Sequence, residues 1–206
     1  MERSVLRNEL FTKAVILGCV ALLFDVAKLS LVSFGGVEWV LLLFVVALAS
    51  LAVYGLLAYR FTRSYADLIV THREVAPFFT YWEGTVYVSN LSMLAGIVVG
   101  FGEYLYLHYV VGYNNFVDAY IKLIQDCFSR MKLRGEEAAL IKQELSTLFE
   151  EMQRAEAPSM ISSVLGTVWS YLVLGAIVGL IVAAFTKRAP KLFYFDNNKN
   201  QPNNEQ

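Results

Sequence analysis

The chain has 206 residues, 57% hydrophobic and 17% charged, with a formal net charge of −1 and a mean hydropathy of +0.50. A soluble domain of this length is about half apolar and about a quarter charged, so this balance excludes an ordinary soluble globule. The basic residues form no stripe, their densest group being Lys187, Arg188 and Lys191, which excludes a nucleic-acid-binding surface.

The apolar surplus sits in four blocks, each near the twenty residues a helix needs to cross about 30 Å of hydrocarbon. The first covers about 14–34, after a basic start with Arg3, Arg7 and Lys13. No small-residue cleavage site follows it, and it carries Asp25 and Lys28, so it reads as a retained helix rather than a cleaved signal. Gly35 and Gly36 then reverse the chain in little space. The second block, 37–59, has no charge after Glu38, and Trp39, Tyr54 and Tyr59 suit the two membrane surfaces.

Residues 60–84 read as a linker bearing Arg60, Arg63 and Arg73, and its aromatic second half, Ala76 to Trp82, is expected in the headgroup layer. The third block spans about 85–108 and the fourth about 161–185, the latter closed by Lys187, Arg188 and Pro190. Together, 1–190 make one four-helix membrane domain, and 191–206 an Asn-rich polar tail expected to be disordered and cytoplasmic.

Between the third and fourth blocks, about 113–157 predicts an external amphipathic helical hairpin. Phe116, Tyr120, Ile124, Phe128 and Met131 recur at helical spacing, opposite Asp118, Lys122, Gln125 and Ser129. After Gly135 the pattern restarts with Ile141, Leu145, Leu148, Phe149 and Met152, opposite Lys142, Glu144, Ser146, Glu150 and Gln153. Glu150 and Arg154 are spaced for an i,i+4 pair, and Pro158 ends the second arm.

Orientation follows from Lys and Arg in the connections. With the N-terminus inside, the inner segments hold Arg3, Arg7, Lys13, Arg60, Arg63, Arg73, Lys187, Arg188, Lys191 and Lys199, while the outer basic residues lie in the hairpin, away from the span ends. Both termini are therefore expected in the cytoplasm.

The run GFGEYLYLHYV that begins at Gly100, then NNFVDAYIKLIQ, the acidic stretch through Met152 and the ending GAIVGLIVAAFTKR resemble domain-of-unknown-function family 4199. These are small four-helix membrane proteins found mainly in Bacteroidetes. The resemblance, over about 60–190, implies the same topology and a Gram-negative inner membrane. It implies no activity and no functional residues.

Two groups of residues call for explanation. Asp25, Lys28 and Glu103 are charges within spans, each of which costs about 2.5–3.5 kcal/mol at the helix centre unless partnered or wet. Asp25 and Lys28 share a face of the first span, and Lys28 and Glu103 lie about six and about five residues from the same membrane surface, by helix counting. They read as a buried ion network fixing helix packing, with snorkelling to the surface or a proton or ion path as alternatives. Gly96 and Gly100, and Gly175 and Gly179, form GxxxG patterns in the third and fourth spans. These suit close helix packing within the chain or, alternatively, a homodimer face.

No G-x-S-x-G, P-loop or dinucleotide-binding glycine pattern occurs, and the two histidines, His72 and His108, beside Glu74 and Glu103, give no set of metal ligands. The two cysteines, Cys19 and Cys127, are expected to be unpaired. Catalytic, cofactor and metal residues are thus all unassigned, and the chain reads as a non-enzyme with the lipid bilayer as its first partner. Two functions remain: a scaffold or accessory subunit that binds a membrane or periplasmic protein through the hairpin, or an oligomeric transporter or channel component using Asp25, Lys28 and Glu103.

Overall fold

The computed structural model describes residues 3–34, 36–72, 78–130 and 136–187. The tail at 191–206, together with Gly35, Arg73, Glu74, Met131 and Gly135, lies outside them. Among the described residues six α-helices follow in chain order: α1 (Arg3–Ser33), α2 (Val40–His72), α3 (Tyr81–Leu105), α4 (Tyr113–Arg130), α5 (Glu136–Arg154) and α6 (Met160–Thr186). A 3₁₀ turn at Val37–Trp39 leads into α2, and π-helical turns at Tyr106–Val111 extend α3. Among the described residues there is no strand.

Four of these helices are long and apolar enough to cross a membrane, over Arg7–Ser33, Val37–Thr71, Tyr81–Val111 and Met160–Thr186. The protein is a multi-pass helical membrane protein. The start of α1, the end of α2, the start of α3 and the end of α6 share one side of the bundle. The opposite side carries the α1–α2 turn and the α4–α5 hairpin.

The bundle is built around α3, which packs most extensively on α6 and next on α1. Its core joins Ala14 and Leu17 of α1, Ala58 of α2, Val88, Leu91 and Ala95 of α3, and Val178 and Val182 of α6. Glycines set the spacing. A Cβ at Gly96 would lie 3.1 Å from the Val168 Cα, and one at Gly100 3.0 Å from the Val164 Cα. In return, Gly175 and Gly179 of α6 face Ser92 and Thr85 of α3. Both GxxxG patterns are therefore buried against the neighbouring span, leaving neither as a face for a second copy. Close van der Waals contact supplies the association that lipid cannot drive hydrophobically.

Helix α2 differs most from the expectation of a linker at 60–84. It continues unbroken to His72, and at about 1.5 Å per residue its 33 residues run near 50 Å, well beyond the hydrocarbon. The reason is the face it presents: Ala58, Thr62 and Ala66 are fully buried at helical spacing, while Arg60, Arg63 and Asp67 point outward. Phe79 is likewise buried, its ring edge-on to Tyr65 at 6.1 Å, whereas Trp82 of the same aromatic stretch is exposed. Helix α3 begins just after it with a capping box: Thr80 Oγ1 accepts from the Glu83 N–H at 3.1 Å, and Glu83 Oε2 accepts from the Thr80 N–H at 2.8 Å.

The hairpin arms α4 and α5 meet along Val117, Ile121 and Phe149, with Ile124, Leu145 and Met152 beside them. The first arm's stripe is thus turned by one residue from the expected one. Phe116 and Tyr120 stack on each other along its flank, and Leu148 of the second arm is 47% exposed. Gln153 donates to Asp118 across the arms at 3.4 Å, and Arg154 pairs with Glu150 at 3.2 Å.

Candidate functional site

Between the spans, toward the hairpin end of α6, the bundle holds a cleft of about 570 Å³. Four spans line it: Asp25 and Lys28 from α1, Ser50 and Tyr54 from α2, Glu103 from α3, and a hydroxyl-bearing face of α6. That face consists of Ser163, Thr167, Ser170 and Tyr171, spaced to fall on one side of a helix. Pro158, just before α6, stands at the mouth. From Ser162 to Tyr171 the helix rises about 13 Å, and the cleft follows it over that length.

The three charged residues singled out from the sequence all reach this cleft, but with different partners. Lys28 forms an ion pair with Asp25 three residues earlier on the same helix. Asp25 is 6% exposed, and its second oxygen accepts the hydroxyl hydrogen of Tyr171 at 2.9 Å. Glu103 instead accepts from the Thr167 hydroxyl at 3.1 Å. The acid on α3 is tied to α6, and the ion pair belongs to α1.

The floor is aromatic and polar together. The Tyr171 ring stands edge-on to that of Tyr54 at 6.1 Å. Tyr54 donates to the Ser92 hydroxyl, and Ser92 donates to the Val88 carbonyl at 2.7 Å. Ser92 can sit there because Gly175 opposite it has no side chain. Tyr54 is therefore a core residue, 5% exposed, and not a membrane-surface anchor. Leu91 and Val178 belong to the apolar core of the bundle next to this layer.

At the surface where α3 becomes π-helical, Tyr106 shares a 2.6 Å hydrogen bond with Ser30 of α1, and His108 stacks on Tyr104 at 4.1 Å. His108 is five residues from Glu103 and is not part of the cleft lining. Among the described residues no three His, Cys, Asp or Glu side chains are grouped to hold a metal ion. Cys19 and Cys127 are unpaired.

The chain matches the family described as "Protein of unknown function (DUF4199)" over residues 12–188. It belongs to that family. The matched region takes in nearly all of the four spans, the hairpin between them and every residue of the cleft. No curated protein and no solved structure matches the chain.

Tyr54, Thr167 and Tyr171 are the site residues that the sequence reading missed. The readable signal was the 163–167–170–171 spacing of hydroxyl groups inside an otherwise apolar span. Hydroxyls are inexpensive in a membrane helix because they can return a hydrogen bond to their own backbone, as Ser170 does to the Gly166 carbonyl at 3.0 Å. Their presence alone therefore does not mark a site, whereas their convergence with Asp25 and Glu103 does.

Proposed function

We propose that this chain is a non-enzymatic transport component of the inner membrane, taking a small polar solute into the cleft between its spans from the hairpin side. The observation that carries this reading is the cleft itself: a polar space within the bilayer, holding two carboxylates, an ammonium and several hydroxyls. Ionisable residues within a membrane gather along substrate and ion paths, because isolated charge there is costly. The volume falls within the roughly 300–1,000 Å³ of small-molecule sites. In this reading both termini are cytoplasmic, as the distribution of Lys and Arg favours, and the cleft faces the periplasm.

Passage beyond the floor requires the Tyr54–Ser92 and Tyr171–Asp25 contacts to open. Four helices rarely enclose a full pathway, so the component works with further copies or a partner subunit. The glycine faces are occupied within the chain, which leaves the lipid-facing side of α2 for such assembly. The second reading is a scaffold that grips a membrane or periplasmic protein through the hairpin. It has less support, since the best apolar positions of the arms are used on each other, leaving chiefly Tyr120 and Leu148 outside.

The test is water access. In a background without Cys19 and Cys127, Ser163→Cys and Ser170→Cys should react with a membrane-impermeant methanethiosulfonate added from the hairpin side. Ile177→Cys, on the outward face of α6, should not. If the two cleft positions are as inert as Ile177, the cleft is not a solute path and the reading falls. A reporter fused after Gln206 should be cytoplasmic and one inserted at Gly135 external.

A further inference from the structure

Resting on the reading of the cleft as a solute site, we infer that its occupant is a small organic ammonium ion and that Glu103 takes it up in exchange for a proton.

The cleft holds two carboxylates and one ammonium. Lys28 is committed to Asp25, whose other oxygen is taken by Tyr171. Glu103 has the Thr167 hydroxyl and, among the described residues, no ion-pair partner. A carboxylate at this depth either keeps its proton or acquires a cation, because lipid and hydroxyl groups cannot replace full hydration. The groups facing it are Asp25 and Lys28 on α1, Tyr54 on α2, and Thr167 and Tyr171 on α6. Within this set Glu103 is the acid left for an incoming cation.

Size and lining then select among cations. A bare divalent ion needs six or more oxygen ligands as calcium, or a near-ideal octahedron as magnesium. One spare carboxylate with scattered hydroxyls falls short of that, and the Lys28 ammonium in the same cleft opposes a double positive charge. An organic ammonium asks for less: one carboxylate, room, and aromatic walls. Tyr54 and Tyr171 line the same cleft as Glu103, and aromatic rings attract alkylammonium groups. An anion would find Lys28 already paired with Asp25 and no other cation in the lining.

The exchange balances. The Glu103 carboxyl O–H bond breaks, its proton leaves through cleft water at the hairpin-side mouth, and the ammonium takes the carboxylate's charge. No net charge crosses in that step.

The experiment uses the purified full chain in a weakly buffered detergent solution with a pH-indicator dye. Adding tetramethylammonium chloride should release protons in a ratio approaching one per chain bound, with sodium chloride as the blank. Glu103→Gln should abolish the release and weaken binding about tenfold or more, having lost the charged partner. Where Glu103→Gln does not fold, Glu103→Asp stands in: an acid one methylene shorter should release the proton at an altered affinity, and an affinity unchanged from the native chain would count against Glu103 as the exchanging acid. Binding without proton release, or binding and release unchanged in Glu103→Gln, would overturn the exchange while leaving the cleft reading in place. Absence of binding when Ser163→Cys and Ser170→Cys are water-accessible would overturn the ammonium assignment alone. Inert cysteines would remove both.

Discussion

Tyr171 of α6 donates its hydroxyl hydrogen to Asp25 of α1 at 2.9 Å, joining two spans 146 positions apart in the chain. The contact gives a nearly buried carboxylate its second partner beside Lys28. Tyr171→Phe keeps the ring and its edge-on contact with Tyr54 but removes the donor. Hydrogen bonds to charged groups contribute about 1.5–3 kcal/mol, so a loss of that order is expected in denaturant unfolding from mixed micelles. Adding Asp25→Asn should recover part of it, because the unpartnered charge is then gone. Strict additivity of the two changes would mean that the contact carries no coupling energy.

The ion pair supports a related expectation. Lys28→Leu leaves Asp25 charged with only the Tyr171 hydroxyl, while Lys28→Leu with Asp25→Asn removes both charges. Breaking a buried pair from one side costs more than replacing both members. The single variant should therefore accumulate in the membrane at a lower level than the double. Equal levels would place Lys28 in solvent, its ammonium reaching water past the cleft mouth.

The four spans were legible because each needs only an uninterrupted apolar length, which the bilayer thickness dictates. The further course of α2 was not. Arg60, Arg63 and Asp67 dominate a hydropathy reading there, although Ala58, Thr62 and Ala66 between them define a helical face. The cleft was half legible. Asp25, Lys28 and Glu103 announce themselves by their cost within a span, and depth counting from the helix ends brought them to one level. Their partners did not announce themselves, because a Tyr, Thr or Ser in a span can equally belong to a surface belt or hydrogen-bond its own backbone. Which of these holds depends on the rotation of α6 against α3, set by the four glycines, and hydropathy does not encode that rotation.

Those glycines give a graded test. At Gly100 a methyl group would meet the Val164 Cα and the Thr167 Cβ, each at 3.0 Å, and the Cα belongs to a backbone that yields only if the helices separate. At Gly166 on α6 a methyl group would meet nothing within 4 Å. Gly100→Ala should destabilise by about 1–3 kcal/mol, the usual range for overpacking a close contact. Gly166→Ala should be close to neutral. Equal effects, measured by the same micelle unfolding, would mean that α3 and α6 are not in close contact.

The hairpin can be examined by the chemistry of its two faces. Short helices of eighteen and nineteen residues are marginal in water without packing, so the arms must bury a face to stay folded. Val117, Ile121 and Phe149 form that face. The expected pattern in a background without Cys19 and Cys127 is slow labelling of Val117→Cys, Ile121→Cys and Phe149→Cys by a water-soluble maleimide, and fast labelling at Lys122 and Glu144. Leu148 decides whether anything else covers the arms. Its side chain is 47% exposed with the arms packed, so Leu148→Cys should label nearly as fast as Glu144→Cys in the purified protein. Slow labelling at Leu148 in native membranes but fast labelling after purification would mean that a membrane component covers it there, and the scaffold reading would regain ground. Uniformly fast labelling, including at Ile121, would mean that the arms do not pack on each other.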